Sequence, residues 1–118
     1  MKLSIQLWTM KELTEKQIEN AILDYLSHLP GCYWKNNSTG VYDVAKKTFR
    51  RTSKWQRNGV SDVLGVSNTG QFIAIEVKSK KGRLSQNQKL FLEDINKNGG
   101  LGFVARSVDD VRRELYGQ

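Results

Sequence analysis

The segment from Phe72 to Val77 constrains the fold of this chain more than any other. It is a strand-length apolar run interrupted by one carboxylate, Glu76, and it is followed at once by Lys78. Placing a carboxylate and an ammonium group in such surroundings costs several kcal/mol unless each charge has a partner or a metal ion. We therefore expect a polar site to be built around this strand.

A second acidic residue, Asp62, lies in the segment that precedes this strand. Val60 to Val66 and Phe72 to Lys78 are predicted strands joined by a short turn. A three-residue loop that ends at Gly70 in a left-handed conformation pairs the strands so that Asp62 faces Glu76. A two-residue or four-residue loop would put Asp62 on the opposite face. A shared site thus predicts the three-residue loop or a compensating bulge.

Two carboxylates and a lysine in this arrangement are typical of phosphodiester hydrolysis. That reaction needs a hard cation to neutralise charge on the phosphate oxygens, and Asp62, Glu76 and the carbonyl of Val77 are candidate ligands for Mg²⁺ or Mn²⁺. Strand alternation places Lys78 beside Glu76, where its ammonium group would contact the attacking water or the transition-state oxygens. The alternative is an exposed ion cluster without a catalytic role.

The charge of the chain indicates a polyanionic partner. Nineteen Lys and Arg against twelve Asp and Glu give a net charge of +7 and a pI near 9.7, which favours nucleic acid over a charge kept only for solubility. Basic residues concentrate between Val41 and Asn58, with aromatic residues among them. We predict that DNA contacts Lys46, Lys47, Arg50, Arg51, Lys54, Trp55 and Arg57. The alternative is a solvated loop whose aromatic side chains pack on the core.

Length and cysteine content set the class of protein. The 118 residues suffice for a single domain, residues 1–118. The apolar runs are of strand length, and the first residues lack the pattern of a signal peptide. Cys32 is the one cysteine, which agrees with a reducing compartment. We expect a cytoplasmic protein without membrane segments.

Periodicity predicts an α/β protein. Helical spacing runs from Thr14 to Leu29, and a short strand is expected at Tyr33 and Trp34. The two strands of the hairpin follow, then a helix after Ser85, a strand from Leu101 to Ala105 and a helix from Asp109 to Tyr116. The order is αβββαβα, a mixed central sheet flanked by helices. Residues 41–58 show neither period.

Several motifs together resemble a known family. They are Gly59-Val60-Ser61-Asp62, Ile75-Glu76-Val77-Lys78, Gly82-Arg83-Leu84-Ser85 with Gln88, residues 99–104 and residues 106–111. The chain resembles the PD-(D/E)xK nucleases, and most closely their virus-type replication-repair nuclease (VRR-NUC) domain. The resemblance covers nearly the whole chain and is strongest from Gly59 to Val111. Ser61 stands where the family name has proline, and Asp62 is retained.

The resemblance implies a restriction-endonuclease-like core and a Mg²⁺- or Mn²⁺-dependent DNA endonuclease. Its small stand-alone members suggest a phage or bacterial homodimer that prefers branched DNA such as Holliday junctions. The resemblance also implies a first-helix glutamate at the site, Glu19 or alternatively Glu15, although either would also suit an exposed helix end. It likewise implies Gln88 beside Lys78, whereas the spacing of Ser85 and Gln88 would equally fit a capping box.

Two other functions are compatible with the same residues. A non-catalytic DNA-binding module of a replication or packaging assembly would use the basic surface without cutting DNA, and its binding would depend on salt. An interaction domain of such an assembly would bind no DNA.

Overall fold

The computed structural model describes residues 12–37, 41–50 and 54–117, with the backbone alone for residues 41–43 and 48–50. The helices in this part are α1 (Glu15–Leu26), α2 (Gln86–Lys97) and α3 (Val108–Tyr116). The strands are β1 (Cys32–Lys35), β2 (Val41–Asp43), β3 (Thr48–Arg50), β4 (Val63–Val66), β5 (Phe72–Val77) and β6 (Leu101–Ala105). None of the described helices is long and apolar enough to cross a membrane.

The central sheet has the strand order β1-β4-β5-β6. β4 is antiparallel to both of its neighbours, β1 and β5. β6 lies parallel to β5, and α2 connects these two strands. The predicted mixed sheet with flanking helices is therefore confirmed, and the order αβββαβα holds for the elements of this sheet and the helices around it.

The core has two layers, one on each face of the sheet. Apolar side chains of α1 and α3 pack on one face, with Ile22 and Val111 fully buried there. Phe91 and Leu92 of α2 cover the other face, over Ala74 of β5. Because β5 is buried on both faces, its sequence is a continuous apolar run rather than an alternating one.

Strands β2 and β3 form a separate two-stranded antiparallel sheet that the sequence did not predict. Each strand has three residues, too few for an alternating pattern to be recognised. Lys46 and Lys47 lie in the turn between them and are exposed.

The predicted register of the β4–β5 hairpin is confirmed. Val66 pairs with Phe72, and the loop closes through a hydrogen bond of 2.9 Å from the Ser67 N–H to the carbonyl of Gln71. Gly70 has φ +89°, a conformation that glycine adopts without strain. The same register, continued by one residue, puts Asp62 opposite Glu76.

The boundaries of the predicted elements shift at two places. β4 begins at Val63 rather than Val60, because the N–H of Val77 bonds to the side chain of Asp62 instead of continuing the backbone ladder. The first helix ends at Leu26 rather than Leu29. Before Pro30 the chain makes one more turn of the tighter 3₁₀ type, in which the Leu29 N–H donates to the carbonyl of Leu26, three residues earlier, at 3.0 Å.

Candidate active site

Two carboxylates from neighbouring strands meet at the end of the β4–β5 hairpin. Asp62 precedes β4, and its Oδ2 accepts a hydrogen bond of 2.9 Å from the backbone N–H of Val77. Glu76 lies on β5 with only 2% of its surface exposed, and it is close enough to Asp62 for the charge of Asp62 to act on its carboxyl group. The structure thus brings together the two acids on which the sequence analysis depends.

The surroundings of Glu76 disfavour its charged form. Burial is the main cause that raises its pKa to about 8, followed by the charge of Asp62, and Lys78 opposes the shift. Oε2 of Glu76 accepts a hydrogen bond of 3.0 Å from Nε2 of Gln88. Oε1 is buried and has no hydrogen-bond partner within the described part of the chain. A buried carboxylate oxygen without a partner needs either a proton or a cation.

Lys78 follows Glu76 on the same face of the sheet. Its backbone N–H donates to the carbonyl of Ala105 at 3.1 Å, which fixes the lysine to β6. The side chain is largely buried, with 12% exposed, and Nζ lies 3.9 Å from Oε2 of Glu76. That separation is at the outer limit of an ion pair, so the ammonium group retains the capacity to donate to other oxygens.

Gln88 serves the helix cap and the acidic pair together. Its side-chain Oε1 accepts a hydrogen bond of 2.9 Å from the backbone N–H of Ser85, and its backbone N–H donates to the Ser85 hydroxyl at 3.1 Å. Its Nε2 is the donor to Glu76. The capping box therefore holds the amide so that its donor end points at the carboxylate.

The two glutamates of α1 lie one helical turn apart and have different surroundings. Glu19 is buried, and its Oε2 forms an ion pair of 2.9 Å with Nζ of Lys35. Glu15 is exposed, and its Oε2 lies so near to Gly82 that a Cβ atom added to this glycine would be 3.2 Å from it. The charge of Glu15 also contributes to the raised pKa of Glu76. Glu15 is therefore the first-helix glutamate whose charge acts on Glu76, whereas the contact of Glu19 is with Lys35.

Lys35 is a residue of this region that the sequence analysis missed. It lies at the end of β1, where it pairs with Val63, the residue after Asp62. Its ammonium group is the partner of Glu19 in the ion pair of 2.9 Å. Nothing local in the sequence marks Lys35, because only the pairing of β1 with β4 brings it to the site.

The predicted DNA-binding residues lie in different settings. The ring of Trp55 is 84% exposed, and Nζ of Lys54 lies 5.2 Å from its centroid. Arg57 forms an ion pair of 2.7 Å with Asp94 of α2 and is therefore an anchor for its own segment, although it remains partly exposed. Lys46 and Lys47 are on the exposed hairpin turn, Arg51 lies outside the described residues, and only the backbone of Arg50 is described.

The donor set of the acidic pair fits a hard divalent cation. In the described ranges, no group of three or more His, Cys, Asp and Glu residues forms a complete set of metal ligands. Asp62 and Glu76 nevertheless adjoin each other, and Oε1 of Glu76 has no partner among the described residues. Mg²⁺ commonly binds through one or two carboxylates and takes its other oxygens from water and substrate phosphate.

Comparison with known proteins agrees with this geometry. The family model of the VRR-NUC domain matches residues 11–109. A solved structure named "VRR_NUC domain protein" superposes with a TM-score of 0.57 and 19% sequence identity, covering 86% of this chain and 84% of that chain. The predicted fold is therefore confirmed. The search of curated proteins gave no match.

Proposed function

Because the chain belongs to the VRR-NUC family, and is thus a nuclease-type domain that processes DNA, we propose that it is a metal-dependent DNA endonuclease. The observation that carries the proposal is the buried Glu76 next to the partly buried Asp62, with Lys78 beside them. A buried carboxylate beside a second acid is costly for folding, and hydrolysis of a phosphodiester is a reaction that uses this combination.

Each residue of the site has a role in the proposal. Asp62, Glu76 and the carbonyl of Val77 hold Mg²⁺ or Mn²⁺, and the bound cation supplies positive charge to the phosphate oxygens. Lys78 donates from a largely desolvated position to oxygens that gain charge in the transition state. Gln88 orients the carboxylate of Glu76 through its amide. Glu19, or alternatively Glu15, completes the acidic side of the site.

The proposed substrate is DNA, and we propose a preference for branched DNA such as four-way junctions. The net charge of +7 and the exposed ring of Trp55 support contact with a polyanion that carries stackable bases. We propose a single domain that acts as a homodimer in the cytoplasm of a bacterium or a phage-infected cell, where replication, recombination and repair produce junctions and flaps.

The first experiment compares the wild type with Glu76→Gln and Lys78→Ala. Labelled four-way junction, flap, single-stranded and duplex DNA are incubated with Mg²⁺, Mn²⁺ or EDTA. We expect the wild type to cut with a metal only. Lys78→Ala should lose on the order of 100-fold or more in rate, the loss typical when one donor to transition-state charge is removed, while still binding DNA.

The control is Lys97→Ala, which removes an exposed positive charge at the far end of α2 and should cut like the wild type. Cleavage by Lys78→Ala at the control rate would refute the role of Lys78. DNA binding by the wild type without products under any metal would support the non-catalytic module instead.

A further inference from the structure

A basic β-turn follows directly after Lys78. The N–H of Gly82 donates to the carbonyl of Ser79 at 3.0 Å, which closes the turn and puts Lys80 and Lys81 at its two corners. Both lysines are exposed, and so is Arg83 after the turn. Three cationic side chains thus project from four consecutive positions.

The turn is held in place by a residue from another strand. Arg106, next after β6, donates from Nη1 to the backbone carbonyls of Ser79 at 2.5 Å, Lys80 at 3.3 Å and Gly82 at 2.8 Å. Its own N–H donates to Oδ2 of Asp110 at 2.8 Å. A planar guanidinium group that bonds several carbonyls of one turn restricts that turn strongly. The lysines are therefore displayed from a fixed backbone.

The turn borders the candidate site at Lys78 and Glu15. A side chain at position 82 would meet Cδ of Lys78 at 3.3 Å and Oε2 of Glu15 at 3.2 Å, so the backbone of the turn packs against residues of the site. Among the described side chains, which exclude those of residues 41–43 and 48–50, the ion pairs do not include Lys80, Lys81 or Arg83.

We propose that Lys80, Lys81 and Arg83, which we name the lysine turn, bind the phosphates of the DNA strand that enters the site, and that Arg106 is the positioning residue of this surface. The inference rests on the proposed function and deepens it. Adjacent cations on one turn suit a phosphate backbone that carries a charge at every nucleotide, and the entropy of ordering the loop is already lost before binding. The recognition is of phosphate and therefore independent of base sequence.

The test measures DNA affinity against salt concentration in the cleavage-deficient Glu76→Gln protein with EDTA. Lys80→Gln/Lys81→Gln should weaken duplex binding about 10-fold or more at low salt. It should also reduce the slope of log K against log salt by up to about 1.8, since each lost phosphate contact removes about 0.9. The matched control is Lys97→Gln/Arg112→Gln, which removes two exposed positive charges that lie on α2 and α3 and not on the turn. A slope that changes equally in both variants would overturn the proposal.

Arg106 is tested by a double-mutant cycle. Arg106→Gln should weaken DNA binding several-fold in the parent but have a much smaller effect when Lys80 and Lys81 are already Gln and only Arg83 remains to be positioned. Thermal unfolding of each variant accompanies the cycle. An arginine with only a structural role would lower the Tm and weaken binding equally in both backgrounds, which would refute the positioning role.

The two proposals fail in distinguishable ways. A wild type that cuts DNA while the lysine-turn variant keeps the full salt slope refutes the lysine turn alone. If the lysine-turn variant shows a reduced salt slope but the wild type yields no products under any metal, the endonuclease is refuted and the proposal for the lysine turn is retained.

Discussion

Burial and the charge of Asp62 raise the pKa of Glu76 to about 8, which favours the protonated carboxyl group at neutral pH. In the proposed function, a divalent cation would bind the same buried oxygen and compete with this proton. We therefore expect metal binding to release a proton and to strengthen as the pH rises toward the pKa of Glu76.

This competition predicts a pH dependence of stability. The folded-state pKa of about 8 exceeds the ordinary value of 4.5, so the folded state binds the proton more tightly than the unfolded state. The free energy of unfolding without metal should fall between these two pH values by roughly 1.4 kcal/mol per unit from this group, and then level off. Urea unfolding with EDTA from pH 5 to 9 measures the slope.

Glu76→Gln is the control for that prediction, because it keeps the shape of the side chain and cannot titrate. The difference between wild type and variant should grow as the pH rises, and added Mg²⁺ should reduce it by replacing the proton. A wild type whose stability changes with pH in parallel with that of the variant would contradict the pKa shift of Glu76.

The sequence predicted some residues of the site and missed others for a physical reason. Asp62, Glu76 and Lys78 stand out because charges next to an apolar strand are costly wherever that strand packs. Lys35 carries no such local mark, and residues 106–111 entered the sequence analysis only through the family resemblance, since both segments reach the site through strand pairings distant in sequence. Their contacts become visible only in three dimensions.

In helix α2, Gln88 takes part both in the N-terminal capping box and in the contact with Glu76. The capping box uses the oxygen of the Gln88 amide, and Glu76 uses its nitrogen. The sequence left capping and site roles as alternatives because spacing alone cannot tell which atom of an amide is used. The structure assigns a different atom to each contact.

This division of atoms predicts that Gln88→Glu separates the two functions. Glutamate retains an acceptor for the Ser85 N–H, so the free energy of unfolding should change by less than the roughly 1 kcal/mol typical of a lost cap. The substitution also puts a third carboxylate beside Asp62 and Glu76 and removes the amide N–H that donates to Glu76. Cleavage should therefore fall at least 10-fold. Chemical unfolding and cleavage rates measure the two effects.

Ser85→Ala is the matched variant, because it removes the cap hydroxyl that accepts from the Gln88 N–H and leaves the amide of Gln88 in place. It should lose about 1 kcal/mol and retain most of the cleavage activity. Equal losses of activity in the two variants would mean that Gln88 acts only through the cap.

At the level of elements, prediction succeeded where one strong local signal fixed the geometry. Gly70 in its left-handed conformation set the register of the β4–β5 hairpin. Strands β2 and β3 could not be predicted, because three residues each provide neither a period nor an apolar face.

In the whole molecule, the site is assembled from segments that are far apart in sequence and are held together by the core. Residues of α1, β5 and α2 converge on the carboxylates, and the core between α1 and the sheet keeps the first helix in place. Ile22 is at the centre of that contact and is 0% exposed. The geometry of the site therefore depends on packing well away from it.

Ile22→Ala should lower the free energy of unfolding by about 2 to 5 kcal/mol, the usual cost of a cavity left by a large aliphatic side chain. The exposed Asn20 of the same helix provides the control, since Asn20→Ala should change stability by less than about 0.5 kcal/mol. Urea unfolding of both variants measures the difference. A loss of under 1 kcal/mol for Ile22→Ala would contradict the packing of α1 on the sheet.

The parallel pairing of β5 with β6 also determines when during biosynthesis the site can exist. Glu76 and Lys78 lie at the end of a strand whose neighbour begins only at Leu101, and Lys78 is fixed by a bond to Ala105. A nascent chain that has emerged only as far as α2 has its acidic residues but no β6 to hold them. We therefore expect the proposed activity to begin only after β6 has been synthesised and has paired with β5.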